Sequence, residues 1–153
     1  MVRFLVPSII AAGCLFGVPA SAQNSAVKID SKNFVEKTIT DSNGQSKTTL
    51  LSTNIVVSGD IIVFTHDYVN SGDRPTAGYL INYPLSKQIE YIDSPDANIA
   101  VSVDGGTTFG KLGSLQVAGR AATASDVTHL RWTFAQPIQP GQNGKVSFRG
   151  RLK

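Results

Sequence analysis

The chain has 153 residues, 41% of them hydrophobic and 16% charged. That balance excludes a disordered polymer and a wholly membrane-embedded protein. A formal charge of +3 is too diffuse to argue for a nucleic-acid partner.

At the N-terminus, Arg3 precedes an apolar run, FLVPSIIAAGCLFGV, and Ala20-Ser21-Ala22 completes an Ala-x-Ala cleavage site. The pattern predicts a signal peptide over residues 1–22 and one β-sandwich domain over 23–153, so a secreted protein, periplasmic or extracellular. The apolar run is broken by Pro7 and Gly13 and is short for a membrane span of about 20 residues. No transmembrane span is therefore expected after cleavage. Removing Arg3 with the leader leaves residues 23–153 at +2. Ala11-Ala12-Gly13-Cys14 resembles a bacterial lipoprotein box, and cleavage before Cys14 is the alternative, leaving a lipid-anchored protein. The apolar run continues past Cys14, however, and the usual leucine is missing at residue 11. Cys14 is the only cysteine. Cleavage after Ala22 thus leaves no disulfide, thiol nucleophile or thiolate metal site.

After residue 22 no sustained 3.6-residue apolar period occurs. Short alternating runs separated by turn residues predict an all-β protein, about eight to ten antiparallel strands in a sandwich. Ser31–Asp41 and Ser46–Val57 read as a polar N-terminal hairpin, with Asn43-Gly44 suited to a type I′ turn. Ser58-Gly59-Asp60 turns the chain into IIVFTHDYVN, whose even positions Ile62, Phe64, His66, Tyr68 and Asn70 share a face. Strands are expected over Ala77–Tyr83, Gln88–Ile92 and Asn98–Val103, the last with Ile99, Val101 and Val103 inward and Asn98, Ala100 and Ser102 outward. Phe109–Val117 reads as a weaker strand and Gly119–Asp126 as a loop. Thr128–Phe134 turns Leu130, Trp132 and Phe134 inward. Pro140-Gly141 fits the centre of a type II turn, and Lys145–Leu152, with Val146 and Phe148 inward, ends the sandwich.

SVDGGTTF, residues 102–109, has the pattern of the Asp box of sialidases. That box is itself a hairpin turn, in which the aspartate accepts hydrogen bonds from its own backbone. One copy without an internal repeat cannot build a propeller. Ser102, Asp104, Gly106 and Thr108 are therefore read as structural turn residues, and Phe109 as a core contact. Asp93, Asp96 and Asp104 lie in or near turns, but their spacing does not match an EF-hand. His66 and His129 supply no zinc motif. No G-x-S-x-G elbow, phosphate loop or acid–base pair stands out. No catalytic residue, metal ligand or cofactor is expected, and the protein is read as a non-enzyme. Arg131, Lys145, Arg149, Arg151 and Lys153 would form an outward basic stripe for an anionic partner if their two strands were neighbours. Otherwise they are charges that guard a sheet edge.

Several segments recur in a telling order: Val57-Ser58-Gly59-Asp60, Tyr68-Val69-Asn70-Ser71-Gly72, Tyr83-Pro84-Leu85, Glu90-Tyr91-Ile92, Leu130-Arg131-Trp132, Ile138-Gln139-Pro140-Gly141 and Val146-Ser147-Phe148. This order, over about residues 50–153, resembles the bacterial conserved-repeat family called domain of unknown function 11. The resemblance implies an immunoglobulin-like β-sandwich on a secreted or surface protein, without known catalysis. Ser58 and Ser86 stand where that family usually has proline, and the domain is solitary here, so a simple spacer role is not implied. Three functions fit. The first is an envelope or extracellular protein that contacts an unknown protein partner or itself. The second is a polymer subunit joined by strand exchange through the polar hairpin. The third is a glycan-binding module that stacks sugars on Tyr79, Tyr83 and Tyr91.

Overall fold

Ten strands order the chain in the computed structural model, which describes residues 26–40, 42–52 and 55–153. The expected signal peptide over 1–22, with Cys14, lies outside the described residues. The strands are β1 (Val27–Thr40), β2 (Ser46–Leu51), β3 (Ile61–Asn70), β4 (Leu80–Pro84), β5 (Ile89–Asp93), β6 (Ile99–Ser102), β7 (Gln116–Val117), β8 (Arg120–Ala121), β9 (His129–Thr133) and β10 (Asn143–Leu152). A five-stranded sheet runs β2-β1-β3-β10-β5, a three-stranded sheet runs β4-β9-β6, and β7 and β8 form a small hairpin. Every strand pair is antiparallel. The protein is all-β, an antiparallel sandwich with the expected N-terminal hairpin.

Alternation along β3, β9 and β10 explains how the two sheets close on each other. Phe64 sits opposite Phe148 in the β3–β10 ladder, and their rings stack with centroids 4.6 Å apart. Leu130 and Trp132 of β9 come down on them and, like Phe148, lose all solvent contact. Each such side chain contributes roughly 1.5–3 kcal/mol through burial. Ile62, Ile81, Ile89, Tyr91, Val101, Val127 and Val146 complete one continuous core. Ile99 and Phe134 pack on its margin.

Turn chemistry departs from expectation in two places. Asn43 keeps a negative φ and Gly44, at +78°, is the left-handed residue among the described residues of the loop, so Asn43-Gly44 does not form a type I′ turn. Five residues separate Thr40 from its partner Ser46, and one left-handed glycine suffices in a loop of that length. A two-residue hairpin turn with positive φ at both centres does occur at Ala118-Gly119, at +49° and +81°, between Val117 and its partner Arg120. It lies across the boundary of the two segments expected as a weak strand and a loop. Those segments instead form the β7–β8 hairpin and two short 3-10 turns, Leu112–Ser114 and Ala124–Asp126. Asp126 ties the second together by accepting the Thr123 amide and a bidentate pair from Arg120 at 2.7 Å. Pro140-Gly141 does form the type II turn: Gly141 has φ +74° and the Gln142 amide donates to the Gln139 carbonyl at 2.9 Å.

The Asp-box stretch corrects the inward and outward assignment of β6. Ser102 is fully buried, and Val103 is not part of the core. The strand ends at Ser102 because its hydroxyl serves the turn: it donates to Asp104 Oδ1 at 2.7 Å and accepts the Gly106 amide at 2.9 Å. Asp104 in turn accepts the Thr107 and Thr108 amides. These bonds hold its carboxyl down at about pKa 2.

Candidate functional site

The hairpin of β1 and β2 extends beyond the end of the sandwich. β1 pairs with β3 from Val27 to Glu36 and with β2 from Val35 to Thr40. Residues 37–40 therefore lie past the start of β3, and β2 forms one end of the sheet. We call this projection the arm. Its polar face is stitched by Thr40 Oγ1 to Ser46 Oγ at 3.0 Å. Its base is fixed by Lys37, whose ammonium donates to Asp60. That bond and the Val57 amide hold the Asp60 carboxyl below its usual range.

Aliphatic exposure concentrates on the arm and on the segment that leaves it. Eight large hydrophobic side chains are exposed among the described residues, and six of them are Ile39, Leu50, Leu51, Ile55, Val56 and Val57. Ile39 is 54% exposed and Ile55 81%. The register puts Ile39 and Leu51 on one face of the hairpin, with Lys37, Lys47 and Thr49, and Leu50 on the other, with Glu36, Thr38 and Thr48, so the arm offers exposed aliphatic side chains on both faces.

The other edges of the two sheets are blunted more heavily than β2. β4 ends in Pro84. β6 is bridged by Gly110, which exchanges backbone bonds with Val101 at 2.8 and 3.0 Å. β5 carries Glu90 and Asp93. β2 reads SKTTLL, with Lys47 its one charge and no proline or acid. Charges and prolines are the usual guards against edge pairing.

The structure divides the five cations of the expected basic stripe. Arg131 lies on β9 in the three-stranded sheet, whereas Lys145, Arg149 and Arg151 lie on β10 in the other, with Lys153 just beyond. The strands are not neighbours, so the condition for a single stripe is unmet. Arg131 covers the Phe109 ring, 3.6 Å from its centroid, and donates to Asn82 at 2.7 Å. Phe109 is thus a half-buried surface aromatic under a guanidinium rather than a core contact. Arg149 is held between Asp93, at 2.5 Å, and Glu36, at 3.4 Å. The two carboxylates, Asp93 foremost, raise the pKa of Arg149, and the guanidinium in turn lowers that of Asp93. Lys145 lines an open groove of about 660 Å³ with Lys28, Asp30, Asp67 and Asn143.

The remaining candidates pack structurally. Asp93 and Asp104 are engaged as above, and Asp96 accepts from Trp132 and Ser147. Tyr91 is buried, and Tyr79 and Tyr83 are partly buried against the core, so the three rings do not stand as an exposed platform. His129 lies under Gly106, and its Nδ1 is 3.2 Å from Thr128 Oγ1. His66 is buried, with Nδ1 2.8 Å from Ser31 Oγ and Nε2 without a partner. Burial lowers its pKa.

Sequence reading took Ser46–Val57 as one strand, and so missed that the ladder stops at Leu51 and leaves Ile55–Val57 outside it. The available signal was the sequence LLSTNIVV itself, where apolar pairs replace strict alternation. No family model matches the chain, and neither the curated proteins nor the solved structures contain a significant match.

Proposed function

We propose that this chain is a secreted, non-catalytic protein of the bacterial envelope or extracellular space that works by protein contact through the β1–β2 arm. The observation that carries this reading is that six of the eight exposed large aliphatic side chains among the described residues lie on a projecting hairpin, on both of its faces, and in the segment that follows it, while its edge strand carries a single charge. The secretory pattern of residues 1–22 supports the location. The resemblance of residues 50–153 to an immunoglobulin-like surface domain supports the mode of action.

A photo-crosslinking amino acid placed at Ile39 or at Leu50, in cells, tests the reading. Adducts to protein are expected from both positions, and not from Lys111, which is exposed on a loop beside the other sheet. Equal yields from all three positions would remove the arm as the contact site. Fractionation with intact mass tests the location, with a chain beginning at Gln23 expected in the envelope or medium.

A further inference from the structure

Building on that reading, we propose that the occupant of the arm is a second copy of this chain, added antiparallel along β2 so that two five-stranded sheets become continuous. An edge strand guarded by a single lysine still offers backbone donors and acceptors to another strand. Antiparallel pairing about a two-fold axis presents the same patch from both sides, so any strand of this kind can meet its own copy.

Charge and face restrict the pairing to a few registers, and β2 satisfies them. A two-fold axis normal to the sheet keeps each face on its own side, so the centre falls on one residue. Centred on Thr49, Leu51 lies opposite Lys47 of the second copy, and Leu50 lies opposite its Thr48. The apolar stem of Lys47 and the methyl of Thr48 would then cover the two leucines. Centred on Thr48, Lys47 lies opposite Thr49. In neither register does the one charge of β2 face its own copy, so the repulsion that normally blocks such an edge is missing. Ile55, Val56 and Val57, which follow Leu51 after three intervening residues, are also exposed.

Two measurements on the native chain test the proposal. Sedimentation over a concentration series should show reversible dimers, and Thr48→Cys or Thr49→Cys should form an inter-chain disulfide that Lys111→Cys does not. The double variant T48K/L50K puts like charges face to face in both registers. It should weaken association at least about tenfold while leaving the melting temperature of dilute protein unchanged, since Thr48 and Leu50 are exposed. A chain that stays monomeric throughout, or dimers indifferent to T48K/L50K, would overturn self-pairing. If self-pairing fails while Ile39 and Leu50 still crosslink to a different protein, the contact reading survives. If those adducts are missing too, both fall.

Discussion

The Asp96 carboxylate accepts the indole N–H of Trp132 at 3.0 Å. The same oxygen accepts the Ser147 amide at 2.7 Å, so one side chain bonds both sheets, β9 on one side and β10 on the other. Asp96→Ala should cost about 1–3 kcal/mol, because it leaves a buried indole donor and a backbone amide unpaired. Trp132→Ala should cost about 3–5 kcal/mol through the cavity it opens. Chemical denaturation of the two variants measures both. A Trp132→Ala variant that melts like the native chain would contradict the sandwich itself.

His66 makes stability depend on pH. Burial lowers its folded pKa below the ordinary value of 6.5. Above 6.5 the histidine is neutral in both states and the fold keeps its full stability. As pH falls below 6.5, the unfolded chain takes up a proton that the folded chain resists, and stability declines. His66→Leu removes the unpartnered Nε2 and should flatten this decline. A slope just below 6.5 that is unchanged in the variant would assign it to another group.

Asp104 acts at lower pH and with the same sign. Its folded pKa of about 2 lies below the ordinary 3.8, so its contribution is present above 3.8 and is lost as pH falls toward 2. Asp104→Ala should lower the melting temperature at neutral pH and make the acid transition shallower. Identical acid transitions in variant and native chains would show that the Asp-box bonds add nothing to stability.

Ala118 holds φ at +49° in a turn that suits glycine or asparagine. Ala118→Asn should stabilise the chain by about 0.5–1 kcal/mol by relieving that strain. A lower melting temperature in this variant would mean that the alanine methyl makes a contact worth more than the strain.

The sandwich was legible wherever alternation met burial. β3, β9 and β10 each put the expected residues inward, because one face of each is covered by the opposing sheet. The first four residues of β1, Val27 to Asp30, were not legible, since Lys28, Ile29 and Asp30 are all exposed and leave no buried face to mark a strand. Their strand conformation is imposed by the ladder to β3. Ser102 misled because its polarity suggested solvent, whereas its hydroxyl is consumed within the turn. Arg131 and Arg149 both pointed outward as expected, but strand order decides which cations are neighbours, and alternation carries no information about order. The arm was visible as a hairpin. Its exposed aliphatics were not, because only the ladder's end at Leu51 shows that the following residues leave the sheet.

The β1–β3 ladder runs through ten residue pairs, from Val27 opposite Asn70 to Glu36 opposite Ile61, a length of about 30 Å. The arm begins where the ladder ends, and β10 finishes at the same pole, with Arg151 opposite Ile61. Ala26, the first described residue, therefore lies at the far pole from the arm. Anything joined after Lys153 emerges beside the arm and crowds it. A tag or fluorophore joined directly after Lys153 would thus interfere with the contact it was meant to report.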